Sequence, residues 1–168
     1  KGLGLPQTND APRIRCRVRG MTLAENHDAR RRYHILETVE AGLVLTGHEV
    51  KSARLGTVSL KGSFVVLHGE EPVLVNAHIG SFQPKNAPAG YESRRTRRLL
   101  LQRREIQRLL GKRAGEGLTL VPLRLYTHYR RLKLEVGLAR SKTHRDQREE
   151  LKAREAAREI QRALRAKQ

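Results

Sequence analysis

The sequence predicts a mainly β protein with helices: a closed antiparallel barrel of about six strands, two or three helices and a flexible basic C-terminal tail. Three observations carry that expectation. Apolar residues recur with a period of two in several segments, two short helical segments each stop at a glycine, and after Ala139 the period of two gives way to charged, helix-forming sequence. Short antiparallel strands with helices between them and few long loops suit a small barrel of the OB type, which closes on itself and leaves few edges.

The elements follow in chain order. A first strand is expected over Tyr33 to Glu40. A helix from Thr46 to Arg54 places Val50 and Ala53 on one side and stops at Gly56. Gly69 turns the chain between strands near 63–68 and 72–79, the second carrying the stripe Val73, Val75, Ala77 and Ile79. The stretch 80–96, with Pro84, Pro88 and Gly90, is the one long loop. Leu99 to Leu101 form a short strand piece. A helix from Arg103 to Leu110 turns Ile106, Leu109 and Leu110 inward and Arg103, Arg104 and Arg108 outward, and stops at Gly111. Thr127 to Arg130 link two last strands with the stripes Val121, Leu123, Leu125 and Leu132, Leu134, Val136, Leu138.

Three regions result. Residues 1–20 mix Pro6, Pro12 and three glycines with Arg13, Arg15, Arg17 and Arg19 without any apolar period, and read as a disordered upstream extension or an added leader, with a basic RNA-gripping arm as the alternative. Residues 21–139 are the barrel. Residues 140–168 are a tail with ten basic side chains against five acids. Its apolar face (Ala153, Ala156, Ala157, Ile160, Ala163 and Leu164) is thin, so it stays flexible until a partner orders it. Residues 148–166 would span roughly 28 Å as a helix. Cys16 is the only cysteine, which excludes an intramolecular disulfide and suits a reducing cytoplasm.

The formal net charge is +18, and it is unevenly placed. Residues 94–139 hold thirteen basic and three acidic side chains, whereas residues 33–93 hold four and six. One half of the barrel is therefore a basic surface that concentrates polyanions and releases counterions on contact with phosphate. Arginines such as Arg94, Arg95, Arg97 and Arg98 favour forked contacts to phosphate oxygens. Only six aromatics accompany them, with no cluster of the kind that stacks single strands, which fits a folded RNA read by shape and backbone. No stretch approaches the ~20 apolar residues of a spanning helix, and no broad apolar face marks an interfacial anchor, so a membrane is not expected.

Catalytic and metal chemistry find no foothold. None of the seven histidines is paired with another His or a Cys at ligand spacing, and no metal or cofactor is expected. His48 and Glu49 beside Lys51 could be drawn as an acid–base set, but adjacent helical residues point to different faces. Phosphate-binding glycine loops and nucleophile elbows are absent from the sequence.

The segments Glu37-Thr38-Val39-Glu40-Ala41-Gly42, Gly47-His48-Glu49-Val50-Lys51-Ser52, Asn76-Ala77-His78-Ile79, Leu99-Leu100-Leu101, Arg104-Glu105-Ile106, Gly117-Leu118-Thr119-Leu120-Val121-Pro122-Leu123 and Gly137-Leu138-Ala139-Arg140 resemble the small protein B (SmpB) family. The resemblance is collinear from about Asn26 to the C-terminus. It implies a non-enzymatic RNA-binding adaptor of trans-translation. Such an adaptor binds the tRNA-like domain of transfer-messenger RNA (SsrA RNA) and brings it with EF-Tu and GTP to stalled ribosomes. Its tail then occupies the empty mRNA channel near the decoding centre, against small-subunit rRNA. A cytoplasmic monomer is expected.

By position, Glu40, Leu100 and Gln102 fall where the family contacts the tRNA-like domain, and Asn26, Arg30, Lys51, Arg98 and Arg103 complete the expected RNA-binding set. A carboxylate on a basic RNA-binding surface is most useful when it accepts hydrogen bonds from base edges. The expected ribosome-binding residues of the tail are Lys142, His144, Asp146, Arg148, Lys152, Arg154, Arg158 and Ile160. The chain departs from the family at Gln102, where His or Asn is common, at Ser141-Lys142-Thr143 in place of Gly-Lys-Lys, and at Gln147 in place of Lys. An RNA-cleaving enzyme on the same barrel, or a ribosomal protein, is the competing reading.

Overall fold

The computed structural model describes residues 20–83, 90–143, 145–146, 155–156, 158–159 and 162, with the backbone alone over 113–116. All but the last residue of the expected leader, residues 1–20, lie outside them, as do His144, Arg148, Lys152, Arg154 and Ile160 of the expected tail contacts.

Strand β1 (Thr22–Glu25) leads through Asn26 into helix α1 (His27–Arg32), and β2 (Tyr33–Leu43) follows at once. Asn26 Oδ1 accepts from the Ala29 amide, an N-cap that gives this one-and-a-half-turn helix its start. Helix α2 (Gly47–Arg54) is closed by a capping box: Thr46 Oγ1 accepts from the Glu49 amide at 3.3 Å and the Glu49 carboxylate accepts from the Thr46 amide at 2.8 Å. Strands β3 (Val58–Ser59), β4 (Phe64–His68), β5 (Glu71–Val75), β6 (His78–Ile79) and β7 (Arg97–Leu100) precede helix α3 (Arg103–Glu116). The long strands β8 (Thr119–His128) and β9 (Arg131–Ser141) end the sheet.

Six strands close a ring in the order β8-β4-β5-β7-β2-β9, with β9 returning to β8; β1 adds to the outside of β8, and β3 pairs with β6 separately. All these pairings are antiparallel. The barrel-like expectation therefore holds. The core inside the ring is built from Ala41, Leu74, Leu99, Leu120, Leu125, Leu134, Val136 and Leu138, with Ala53 of α2 and Ile106 and Leu109 of α3 packed against it.

Four local expectations are corrected. The stripe through Val73, Val75, Ala77 and Ile79 is broken: Leu74 is buried instead of its neighbours, and Asn76, at φ 59°, reverses the chain so that Ala77 and Ile79 come inward. The stripe Val121, Leu123, Leu125 splits, because a bulge between Pro122 and Arg124 flips the facing. Leu125 enters the main core, while Val121 and Leu123 pack with Ala29 and Ala139 in a second cluster beneath α1. There Gly137 is required by space, since a Cβ would lie 3.1 Å from Leu123 and 3.2 Å from Ile35. Helix α3 does not stop at Gly111 but runs through it to Gly117, whose φ of 60° makes the left-handed cap. Strand β9 outlasts Ala139, because β2 offers partners as far as Tyr33, opposite Ser141.

Candidate nucleic-acid interface

Glu40 lies on β2 opposite Glu135 of β9, next to Ala41, which is wholly buried against the core. Strand alternation thus sends the Glu40 side chain outward. There its carboxylate accepts from the Tyr126 hydroxyl and from Lys133 Nζ at 3.0 Å. Partial burial disfavours its charge, but the Tyr126 hydrogen bond and the Lys133 ammonium outweigh this and lower its pKa below the ordinary glutamate value. Burial and the same contact raise the Tyr126 phenol. Arg124, ion-paired with Glu135, lies over the Tyr126 ring at 5.4 Å and holds it in place.

A carboxylate has about four lone-pair sites, and the Glu40 side chain keeps 37% of its surface exposed. It is a fixed, ionised acceptor with capacity left over. The partner that suits it is a donor from outside, such as the exocyclic amine of a base.

Beside it, the alternation of β7 buries Arg97 and Leu99 and exposes Arg98 and Leu100. Leu100, at 58% exposure, pairs with Gly42, where a Cβ would lie 3.3 Å from that of Leu100. Gly42, Leu43, Val50, Leu100 and Leu132 floor an open groove of about 430 Å³ whose basic wall is Arg130, Arg131 and Lys133. An apolar floor with a cationic wall accepts a ribose or base face together with its phosphate. Gln102 and Arg103 continue this surface around the corner into α3; both are exposed, and Arg103 reaches Glu70 at 3.3 Å while Arg98 reaches Glu71 at 2.8 Å. Exposed pairs of this kind are weak and exchange readily for phosphate.

The remaining expected residues lie apart or inward. Lys51 projects from α2 over the Phe82 ring at 5.7 Å. Asn26 is 5% exposed, and its amide is spent on the Ala29 amide and the Pro122 carbonyl, so it caps α1 and does not face solvent. Arg30 is exposed, 3.9 Å from Glu25, at the far end of β2. There Lys142 donates to the Arg30 carbonyl at 3.1 Å and, through its amide, to Arg32 at 2.8 Å. Thr143 and Asp146 cap each other reciprocally, at 3.0 and 3.2 Å, and Arg145 and Asp146 are helical. The Thr143 hydrogen bonds, backbone first, lower the Asp146 pKa, and His34 Nε2 stands 3.9 Å away. Arg158 is exposed.

One member of the arginine run is corrected outright. Arg97 is wholly buried and bound to Glu49, so it meets no phosphate, and Arg95 is tied to the same carboxylate at 2.5 Å. Conversely, Tyr126, Lys133, Arg130 and Arg131 escaped the sequence reading. The outward position of Lys133 between Leu132 and Leu134 was a usable signal; its nearness to Glu40 depends on strand register. Among the described residues no group of three His, Cys, Asp or Glu side chains could hold a metal, and no helix is long and apolar enough to cross a membrane.

The family model described as SmpB protein matches residues 23–166. This chain belongs to the SmpB family. An SsrA-binding protein of Carboxydothermus hydrogenoformans is 50% identical over 145 residues, covering 86% of this chain and 97% of the relative. One from a Roseiflexus species is 48% identical over 142 residues, covering 84% and 90%. A solved chain described as "tmRNA-SmpB: a journey to the center of the bacterial ribosome" superposes with a TM-score of 0.60 at 45% identity, covering 74% of this chain and 91% of that one. The SmpB match thus includes every residue of the Glu40 surface.

Proposed function

We propose that this chain is a non-enzymatic adaptor that binds the tRNA-like domain of transfer-messenger RNA through the Glu40–Leu100 surface and delivers that RNA to stalled ribosomes for trans-translation. The observation that carries the reading is a carboxylate kept ionised yet half open on a basic surface, beside an exposed Leu100, in a chain whose relatives are SsrA-binding proteins. Phosphate contacts from Arg98, Arg103, Arg130 and Arg131 supply affinity, and Glu40 and Gln102 supply discrimination at base edges. The chain works as a monomer in the cytoplasm, with EF-Tu and GTP joining through the RNA.

The tail is the second module. Its basic residues, including Lys142, Arg148, Lys152, Arg154 and Arg158, meet ribosomal RNA in the vacant mRNA channel as the tail orders. The Thr143–Asp146 cap supplies the first turn, the costly step of helix formation. Since Ser141 pairs with Tyr33 and Lys142 binds Arg32, a truncation must spare both. Removing residues 147–168 leaves RNA binding intact and abolishes peptide tagging of stalled ribosomes; tagging at the normal rate would refute the tail's role.

Isolation of the protein from cells and sequencing of the co-purified RNA tests the whole reading. One dominant, intact RNA with a tRNA-like end is expected. Cleaved RNA would indicate a nuclease, and ribosomal RNA that survives high-salt washing would indicate a ribosomal protein.

A further inference from the structure

Between His128 and Arg131, which pair at the end of β8 and β9, the chain reverses through Tyr129 and Arg130. Tyr129 has a φ of 55°. That first hairpin position favours glycine or asparagine, because a side chain crowds the backbone there. The residue is hardly buried in exchange, being 91% exposed. A bulky residue kept where the backbone disfavours it, and without burial, points to a partner outside the chain.

The surroundings say which kind. The His128 ring lies 4.7 Å from the Tyr129 ring, tilted by 46°, so that two aromatic faces flank the tip. Together with Arg130, Arg131 and Lys133 they line an open groove of about 610 Å³. Among the described residues, neither the Arg130 nor the Arg131 side chain has an acidic partner. An aromatic face with unneutralised guanidinium groups beside it is the arrangement that stacks an unpaired base and binds its flanking phosphates. The same Arg130, Arg131 and Lys133 form the wall of the Leu100 groove, and Lys133 binds Glu40, so the tip continues the proposed RNA surface.

We propose that the β8–β9 hairpin tip is a second contact for the tRNA-like RNA, in which Tyr129 stacks on an unpaired loop base while Arg130 and Arg131 hold the adjoining phosphates. This rests on the reading of the Glu40 surface given above. It adds an aromatic stacking contact to a surface that otherwise works by phosphate contacts, the apolar Leu100 floor and the base-edge groups of Glu40 and Gln102. Tyr129 is then a positioning and specificity residue for the RNA and has no part in stability.

The test uses the full chain, a full-length transfer-messenger RNA transcript and filter binding at one salt concentration, with melting temperatures measured alongside. Tyr129→Gly removes the ring and suits the positive φ, so the melting temperature holds or rises, while affinity falls about five- to hundred-fold, the value of one stacked base. Tyr129→Asn, also tolerated there, weakens binding equally, and Tyr129→Phe binds within about two-fold of wild type. Glycine and asparagine variants that bind like wild type would overturn the proposal. So would a phenylalanine variant as weak as the glycine one, which would assign the effect to the hydroxyl, or a loss confined to tagging on ribosomes, which would place the tip against the ribosome. Should the wild-type chain bind the transcript no better than a plain duplex, the reading of the Glu40 surface itself fails, whatever Tyr129 does.

Discussion

Glu49 and Glu40 are both glutamates held by cations, yet they stand in opposite surroundings. Glu49 is wholly buried; it accepts from Arg95 Nε and Arg97 Nε at 2.9 Å each, from Arg95 Nη2 at 2.5 Å and from the Thr46 amide at 2.8 Å. Arg97, buried with it, spends its other donors on the carbonyls of Ala77, Ser93 and Arg95. Neither Glu49 nor Arg97, both wholly buried, is left for a partner. It ties α2 to β7 and to the backbone before β7, and so fixes the strand that presents Leu100. Among the described residues Glu40 has Tyr126 and Lys133 alone as partners, and it remains partly open. The difference teaches that residue type does not separate structural from recognition charges here: the number of internal partners does. A saturated ion cluster is a bolt, and an unsaturated one on the surface is a reader.

The largest effect should come from breaking the bolt. Glu49→Ala leaves Arg97 charged and unpaired in the interior and should cost about 3–5 kcal/mol of stability in urea unfolding. Replacing both partners, Glu49→Leu with Arg97→Met, should cost less than either single change, because no buried charge is stranded. Equal losses for the single and double variants would show that the pair does not act as a unit.

Acid should separate the two sites next. In Glu49, burial is overcome by the Arg95, Thr46 and Arg97 hydrogen bonds, and the pKa is lowered, as it is in Glu40. A lowered folded-state pKa gives stability that is fully present above the unfolded glutamate value of about 4.3 and is lost as pH falls through the folded value. Urea midpoints followed from about pH 5 to pH 3 should therefore decline, and the Glu49→Gln variant, already destabilised, should decline less steeply. An unchanged slope in that variant would remove Glu49 from the acid response.

On the reading side, Tyr126→Phe removes the hydroxyl that fixes the Glu40 carboxylate, and RNA binding should weaken by about 1 kcal/mol with Lys133 still in place. The smallest effect belongs to Arg103→Ala, an exposed cation beside Glu70. Binding should weaken uniformly across RNA sequences and the slope of log affinity against log salt should shrink by about one.

Much of this was legible in the chain. The stripe from Leu132 to Leu138, the Val50 and Ala53 side of a helix that stops at Gly56 and the collinear motifs around Glu40 and Leu100 led to the ring, α2 and the RNA surface. What escaped depended on geometry that a period does not encode. The bulge at Pro122 and the positive φ of Asn76 each shift facing by one residue, which a stripe read straight through cannot register. Arg97 was indistinguishable from Arg98 by composition, since burial there depends on a carboxylate arriving from a distant helix. The short α1 has one buried residue, Ala29, and left no readable period.

Glu40 is held to serve RNA recognition first and to support the fold far less than Glu49 does. Glu40→Ala, measured side by side for transfer-messenger RNA affinity and for melting temperature, tests it most directly. The expected result is a loss of about 1–3 kcal/mol in binding, the worth of one base-edge contact, with a fall in melting temperature well short of that of Glu49→Ala, since the Tyr126 hydroxyl alone loses a buried acceptor. A variant that melts well below wild type while binding the RNA as tightly would contradict it.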